Sequence, residues 1–480
     1  MSLRSCLLMS FIVAYGLRLL LIADGGQQYW PDEMRYQRGY YMAMHLLRAD
    51  FFNASRELAL YPDHSGFTLV SLPMGWFHRL FGRFDEGFWF APSLLYALFS
   101  AAGVVLIGWI AARSLRSDRA GVIASLLSLA STALYQWSRH HVPYDVSLFC
   151  ALLALALSLE HGGHWWRAVA SGFLVVGVFV IYNGYWLLAA VVGLWVLVSW
   201  LNRANLRLTI LRSAALISGG LIWALAHLVW MLPFGHNPLA FLSLWRQFSG
   251  TVIQGDYAEG WTLSLEYLWA VEGPLALVWI VGLLLSLGRR KRIVFAWWVS
   301  LLTMWIALGV LSQAEIFVVY GRLARQMLPF IIWLAAAGLE RGLQLLNRRV
   351  VWIGAAGLAL AVYLINWYPL LDFAFGVDVY AQAQAQYEDV GVIEAFASGA
   401  EASLPLNRYW LYATDHQAPF RYAYPFDRVV KPPSGRVIWQ MANPWNYRPY
   451  LYEGFTRSMR ELVSSYDLSY RLIERLEPGE

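Results

Sequence analysis

Long apolar runs separated by short, arginine-bearing polar segments occupy the first 370 residues. A helix needs about 20 apolar residues to cross about 30 Å of hydrocarbon. Eleven runs fit that template, at 5–23, 88–112, 120–137, 146–159, 168–182, 186–201, 213–232, 266–287, 293–311, 327–345 and 350–369. Only Arg4 precedes the first run, and no small-residue cleavage site follows it, which predicts a retained span rather than a signal peptide.

The stretch 66–81, GFTLVSLPMGWFHRLF, is shorter, contains Pro73 and ends in His78 and Arg79. A charge at mid-membrane costs about 3 kcal/mol, so this stretch is expected to lie at the interface rather than cross. Residues 24–87 then form one long outer loop with amphipathic helices lying on the membrane. In the last segment, 371–480, the pattern predicts a helix over 387–397, a strand over 408–413, a helix over 455–463 and a closing strand over 468–476. The expectation is an all-α polytopic membrane protein of about eleven spans (1–370) with a small α/β C-terminal extracytoplasmic domain (371–480).

Composition supports the membrane reading. Apolar residues make up 59% and charged residues 14%, against about 25% charged in soluble domains. The same figures exclude a disordered chain, a coiled coil and a disulfide scaffold, since Cys6 and Cys150 both lie in apolar runs. The net charge of +5 divides unevenly: residues 371–480 hold ten Lys/Arg and fourteen Asp/Glu, leaving the remainder at +9. Nucleic acid is therefore not an expected partner. Arginines and a lysine at 113, 116, 119, 167, 203, 207, 212, 289–292, 348 and 349 fall in one set of loops, and only Arg139, Arg246, Arg322 and Arg325 in the other. Placing the first set in the cytoplasm puts the N-terminus inside, and 140–145, 234–265 and the tail outside. Almost every cation is arginine, so bound phosphate would meet forked guanidinium contacts.

The segment 30–36, WPDEMRY, follows the first span. Asp32 there is either the cap of a following helix or a general base or charge partner at the interface, with Glu33, Arg35 and Tyr36 close by. His140, His141 and Asp145, or His45, His64 and Asp63, offer cation ligands, but their spacing fits no dedicated metal motif. No cofactor is called for, and a divalent cation stays open. Asn53-Ala54-Ser55 is a glycosylation sequon of a frequency expected by chance, Asp256 and Glu259 read as loop solvation, and Glu315 as a cap or a sugar contact. No GxxxxGK motif occurs, so nucleotide-driven chemistry has no support.

In their order along the chain these features resemble the GT-C superfamily of membrane glycosyltransferases. The closer similarity is to its branch of protein O-mannosyltransferases and lipid A aminoarabinose transferases. Asp32, Glu33, Arg35 and Tyr36 match the family's acidic pair and Arg-Tyr after the first helix. His64 and Phe81-Gly82 match the opening and close of its amphipathic segment. Pro143, Tyr144 and Asp145 match the second acidic site at the outer start of a later span, and Tyr320 to Pro329 (YGRLARQMLP) matches its late loop. One departure is that His64 is followed by Ser65-Gly66, where the family has Lys-Pro or Pro-Pro.

The resemblance implies transfer of a hexosyl or pentosyl group from a polyprenyl-phosphate donor to a lipid, polysaccharide or protein acceptor at the outer face of a bacterial inner membrane. Asp32, Glu33 and Asp145 would be catalytic, with Asp32 as base for a hydroxyl acceptor or as positioning group for a phosphate acceptor. Arg322 and Arg325, three apart, would hold the donor phosphate, with Arg139, His140 and His141 next. Arg35, Tyr36, His64 and Tyr320 would contact substrate. The alternatives are a transporter or flippase of a lipid-linked glycan, and an outer-face ligase that moves a whole glycan.

Overall fold

The computed structural model describes residues 2–24, 38–73, 75–76, 90–134, 142–159, 164–200, 206–240, 242–243, 261–314, 321–344, 354 and 357, and the backbone of four strands in the tail. The part before the tail is helical and contains no strand among the described residues. Among the described residues, six stretches are long and apolar enough to cross a membrane: Leu3–Leu20, Leu94–Leu115, Asn183–Trp200, Leu206–Phe234, Arg292–Gln313 and Leu323–Gln344. Tyr144–Leu159, Trp165–Ile181 and Pro274–Ser286 are apolar but shorter. A multi-pass membrane protein fits these helices; the expected span at 350–369 lies outside the described residues.

In chain order the helices are α1 (Leu3–Asp24), α2 (Arg38–Leu47), α3 (Phe51–Leu60), α4 (Ser65–Val70), α5 (Phe90–Leu115), α6 (Asp118–Ala130) and α7 (Tyr144–Leu159). Then come α8 (Trp165–Ile181), α9 (Trp186–Trp200), α10 (Leu206–Met231), α11 (Leu263–Glu272), α12 (Pro274–Ser286), α13 (Arg292–Gln313) and α14 (Leu328–Gln344). The single span expected at 266–287 is in fact two helices. Gly273, at φ 49°, breaks it, and Pro274 starts α12 at a position where a missing N–H costs nothing.

α14 is the central helix, with almost every residue buried. Trp333 donates from Nε1 to the Ile107 carbonyl at 3.0 Å and packs on Trp297, with ring centroids 5.4 Å apart. Gly282 of α12 and Gly338 of α14 let these two backbones touch: a methyl group at Gly338 would overlap the Gly282 carbonyl. Between apolar helices in lipid, such close approach and dispersion replace the hydrophobic drive.

The bundle has two polar ends. At one, the Glu340 carboxylate accepts from Arg289 and from Ser117, the N-cap of α6, while Lys291 Nζ donates to the Leu115 carbonyl at 2.7 Å. At the other, Glu272 at the foot of α11 accepts from Ser131 Oγ at 2.7 Å, Thr132 N at 3.0 Å and Ala133 N at 2.9 Å. Arg18 of α1 reaches the same turn, donating to the Leu134 carbonyl at 3.2 Å.

In 66–81, the described helix α4 has six residues, so its span is about 9 Å at 1.5 Å per residue. It packs on protein: Gly66 lies so close to the end of α8 that a Cβ would come within 2.6 Å of the Val180 carbonyl oxygen, and Phe67 stacks on Tyr96 with centroids 5.5 Å apart. In the tail, β1 (Val392–Ala397), β2 (Tyr409–Thr414), β3 (Val437–Met441) and β4 (Tyr470–Arg475) pair antiparallel in sequence order. Strand β1 replaces the end of the helix expected at 387–397: VIEAFA pairs residue for residue with β2. β2 and β4 fall where alternation placed strands, and the helix expected at 455–463 lies outside the described residues.

Candidate functional site

The end of the bundle that carries Glu272 also gathers three of the residues nominated from sequence. Asp145 lies in the first turn of α7, just after Pro143, and its carboxylate accepts from Arg325 Nη2. Arg325 comes from the 3₁₀ stretch Gly321–Met327 that leads into α14, and its side chain is fully buried. Its Cζ sits 6.0 Å from the centroid of the Tyr144 ring, and Tyr185 and Tyr267 lie within electrostatic reach. Among the described residues, Nε and Nη1 of this guanidinium have no hydrogen-bond partner.

Aromatic rings carry the site from Arg325 to the first loop. Tyr144 meets Tyr182 edge-on at 4.7 Å, and Tyr182 meets Tyr185 at 4.9 Å. The ring of His64 lies 5.8 Å from Tyr182, and its Nδ1 is 2.8 Å from Asp63 Oδ2, both residues being buried. The turn Asn183–Tyr185 between α8 and α9 brings these tyrosines together because Gly184 leaves room for the Tyr182 ring.

Gln326, next to Arg325, locks that turn in place. Its Oε1 accepts from Leu188 N at 3.0 Å, and its Nε2 donates to the carbonyls of Gly184 at 3.2 Å and Leu323 at 3.1 Å. A fully buried amide with all its contacts to backbone fixes the main chain around it.

The first loop is tied to α10 by two serines. Ser65 Oγ bonds His227 Nε2, and Ser55 Oγ donates to the Trp230 carbonyl. His227 Nδ1 lies 2.6 Å from the Trp223 carbonyl, which in the neutral ring assigns the proton to Nδ1, and the Ser65 hydroxyl also reaches the Pro62 carbonyl at 3.0 Å. Ser55 belongs to the sequon and is buried in this contact, while Asn53 is held by Asp50 at the cap of α3. The sequon is thereby built into the fold.

The structure thus brings His64, Asp145 and Arg325 to one end of the bundle. Asp32, Glu33, Arg35, Tyr36, Arg139, His140, His141 and Tyr320 lie outside the described residues, as do Asp256, Glu259 and Glu315. Arg322 is described in backbone only; three residues per 3₁₀ turn put positions 322 and 325 on one face. No family model matches the chain, and no curated protein matches it significantly. His45 stands with Asp50, 3.3 Å from Oδ2, and with Glu57, 3.8 Å from Oε1, rather than being held by the Asp63–His64 pair. Among the described residues no group of three or more His, Cys, Asp or Glu gathers as a metal site.

Sequence reading missed Tyr182, Tyr185, Tyr267, Gln326, His227 and Glu272. Two of these had a signal: His227 is an ionisable residue inside an apolar run, and Glu272 precedes a Gly-Pro breaker. The tyrosines and Gln326 had none, because only the fold brings them to Arg325.

Proposed function

We propose that this protein is a glycosyltransferase that moves a sugar from a polyprenyl-phosphate donor to an acceptor at the outer face of a bacterial inner membrane. The reading takes the chain as eleven spans with the N-terminus inside and the tail outside. The observation that carries it is the buried Asp145–Arg325 pair under a cluster of tyrosines, with Nε and Nη1 of the guanidinium without a hydrogen-bond partner among the described residues.

Chemically, a buried arginine needs a counter-charge to stay buried. Asp145 supplies it and fixes the guanidinium before substrate arrives. The N–H groups left on Nε and Nη1 are able to donate to phosphate oxygens. Charge that develops on the leaving phosphate then meets donors already in place, which is the condition for electrostatic catalysis.

In the reaction, the acceptor oxygen attacks C1 of the sugar as the C1–O bond to phosphate breaks. The electron pair of that bond leaves with the polyprenyl phosphate, and the acceptor proton passes to Asp32. A phosphate acceptor has no proton to give up, and Asp32 then positions it. His64 and Tyr182, linked to the pair through Tyr144, would contact the sugar or acceptor. No step of this scheme calls for a cofactor.

Deletion of the gene tests the reading. The expected result is loss of one sugar substituent from an envelope lipid, polysaccharide or protein, with accumulation of the polyprenyl-phosphate sugar on the outer leaflet. An unchanged glycan and lipid profile would overturn it.

One observation favours a second reading, a transporter of a lipid-linked glycan. The α11–α12 break with buried Glu272 has the form of a discontinuous transporter helix. Accumulation of the lipid-linked sugar on the inner leaflet after deletion would select this reading.

A further inference from the structure

At the end of the bundle that carries Arg325, the first loop leaves one apolar corner uncovered. Helix α3 turns Ala54, Ser55, Glu57 and Leu58 toward the protein: Ser55 donates to the Trp230 carbonyl, and Ala54 and Leu58 share a small core with Met42 and Met231. Its first two residues do the opposite. Phe51 is 51% and Phe52 54% exposed, and Phe52 meets Phe234 edge-on with ring centroids 6.1 Å apart. Arg48 and Arg56, both exposed, flank them in sequence. The proposed reaction uses none of these residues.

What covers this corner follows from the length of α10. The apolar stretch Leu206–Phe234 has 29 residues, about 43 Å at 1.5 Å per residue. Tilted by about 20°, it still covers about 40 Å. That exceeds the about 30 Å of hydrocarbon and matches the about 40–45 Å of a bilayer with its headgroup layers, so Phe234 reaches the interface. The exposed side of α10 runs through Leu225, Leu228, Val229 and Leu232 to that level without a polar residue. Phe52 packs on the ring that ends this stripe, so the lipid that covers α10 continues onto the corner.

We infer that Phe51 and Phe52 are a membrane wedge: the start of α3 is sunk into the boundary between headgroups and acyl chains of the leaflet at this end, with Arg48 and Arg56 at the level of the lipid phosphates. Phenylalanine on the buried side and arginine on the wet side is the pattern of a helix held in that layer, where arginine stems lie along apolar surface and the guanidinium reaches outward. Helix α4 packs on protein, so among the described helices of the first loop the contact falls to the α2–α3 corner. The wedge holds the following Pro62–His64 turn, and His64 with it, at a set height in the bilayer. The inference applies to whichever leaflet lies at this end and does not rest on the proposed reaction.

The test uses the unsubstituted full-length protein in liposomes of phosphatidylethanolamine and phosphatidylglycerol that carry a phospholipid with a photoreactive acyl chain. Trypsin cuts after Arg48 and Arg56, so peptide 49–56 isolates the corner. Lipid adducts are expected on that peptide, as on peptide 213–246, which carries the exposed face of α10; no adduct on 49–56 overturns the inference. A second measurement reads depth. In a chain carrying Cys6→Ala and Cys150→Ala, nitroxides at Phe51→Cys and Phe52→Cys are expected to be reached by oxygen and shielded from a water-soluble nickel chelate, as is a nitroxide at Leu225→Cys on the span. Shielding from oxygen and nickel alike would mean that a second copy or another protein covers the corner, and free access of nickel would mean water; either result overturns the wedge.

Discussion

Arg325 and Asp145 are 180 residues apart in sequence and form an ion pair inside the protein, tying the lead-in of α14 to the first turn of α7. The arginine is fully buried and the Asp145 side chain nearly so. Neutralising either partner alone strands the other charge in a low-dielectric interior. Asp145→Asn or Arg325→Gln should each destabilise the protein by about 3–5 kcal/mol. The double variant, which restores a neutral pair, should recover most of that while losing use of the donor. Thermal unfolding in detergent, set beside donor titration, separates the two effects; a double variant with normal donor use would remove Arg325 from the phosphate site.

Glu272 allows a sharper choice between the two functional readings. Its carboxylate accepts three hydrogen bonds from the turn after α6, at 2.7, 3.0 and 2.9 Å. If its role is to hold the α11–α12 break against that turn, Glu272→Gln keeps the oxygen that serves Ser131 and Ala133 but turns an NH2 toward the Thr132 N–H, so any loss of activity should follow a loss of stability. Glu272→Ala leaves buried N–H groups unsatisfied, at about 1–3 kcal/mol each. A Gln variant that folds with normal stability yet has no activity would instead mark a coupling carboxylate and favour transport.

What could be read in advance follows from how local each signal is. The six long apolar helices are visible because a membrane span is a property of one window of sequence. The break at Gly273-Pro274 was equally local, but the apolar average over 266–287 masked it. Strand β1 was read as helix because VIEAFA, taken alone, satisfies helical spacing as well as alternation; pairing with β2 decides it. Asp145 and Arg325 were each nominated, one as an acid and one as a phosphate cation. That they hold each other was not legible, nor was the support of Tyr182, Tyr185 and Gln326, because such contacts exist only after α7, α8 and α14 have packed.

Asp50 gives the first loop a pH response. Its carboxyl is held below the usual aspartate value of 3.8 by hydrogen bonds from the Asn53 side chain and backbone, with a smaller contribution from His45. A depressed folded value means that the stabilisation is present above the unfolded value and is lost as pH falls through the folded one. Acidification below about pH 4 should therefore loosen the start of α3. Limited proteolysis of the 38–64 region across that range should show a step that is absent in Asp50→Ala.

Gly219 is predicted to tolerate no side chain. Even a methyl group there overlaps the Val169 carbonyl, so Gly219→Ala must push α8 and α10 apart. Overpacking of this kind costs about 1–3 kcal/mol. Because α10 also anchors Ser55 and Ser65 of the first loop, the same change should expose that loop to protease. Gly16, around which nothing lies within 4 Å, is the control: Gly16→Ala should be neutral or slightly stabilising in the same unfolding assay.

The sidedness of the whole scheme rests on one loop. Residues 38–70 pack on the ends of α8 and α10 beside Tyr182, so they share a side with Asp145 and Arg325. Leu47 is exposed there. In a chain carrying Cys6→Ala and Cys150→Ala, the substitution Leu47→Cys should react with a membrane-impermeant maleimide added to intact spheroplasts. Labelling only after lysis would put the tyrosine-lined site in the cytoplasm, where an outer-leaflet polyprenyl-phosphate donor cannot reach it, and the proposed reaction would fail with it.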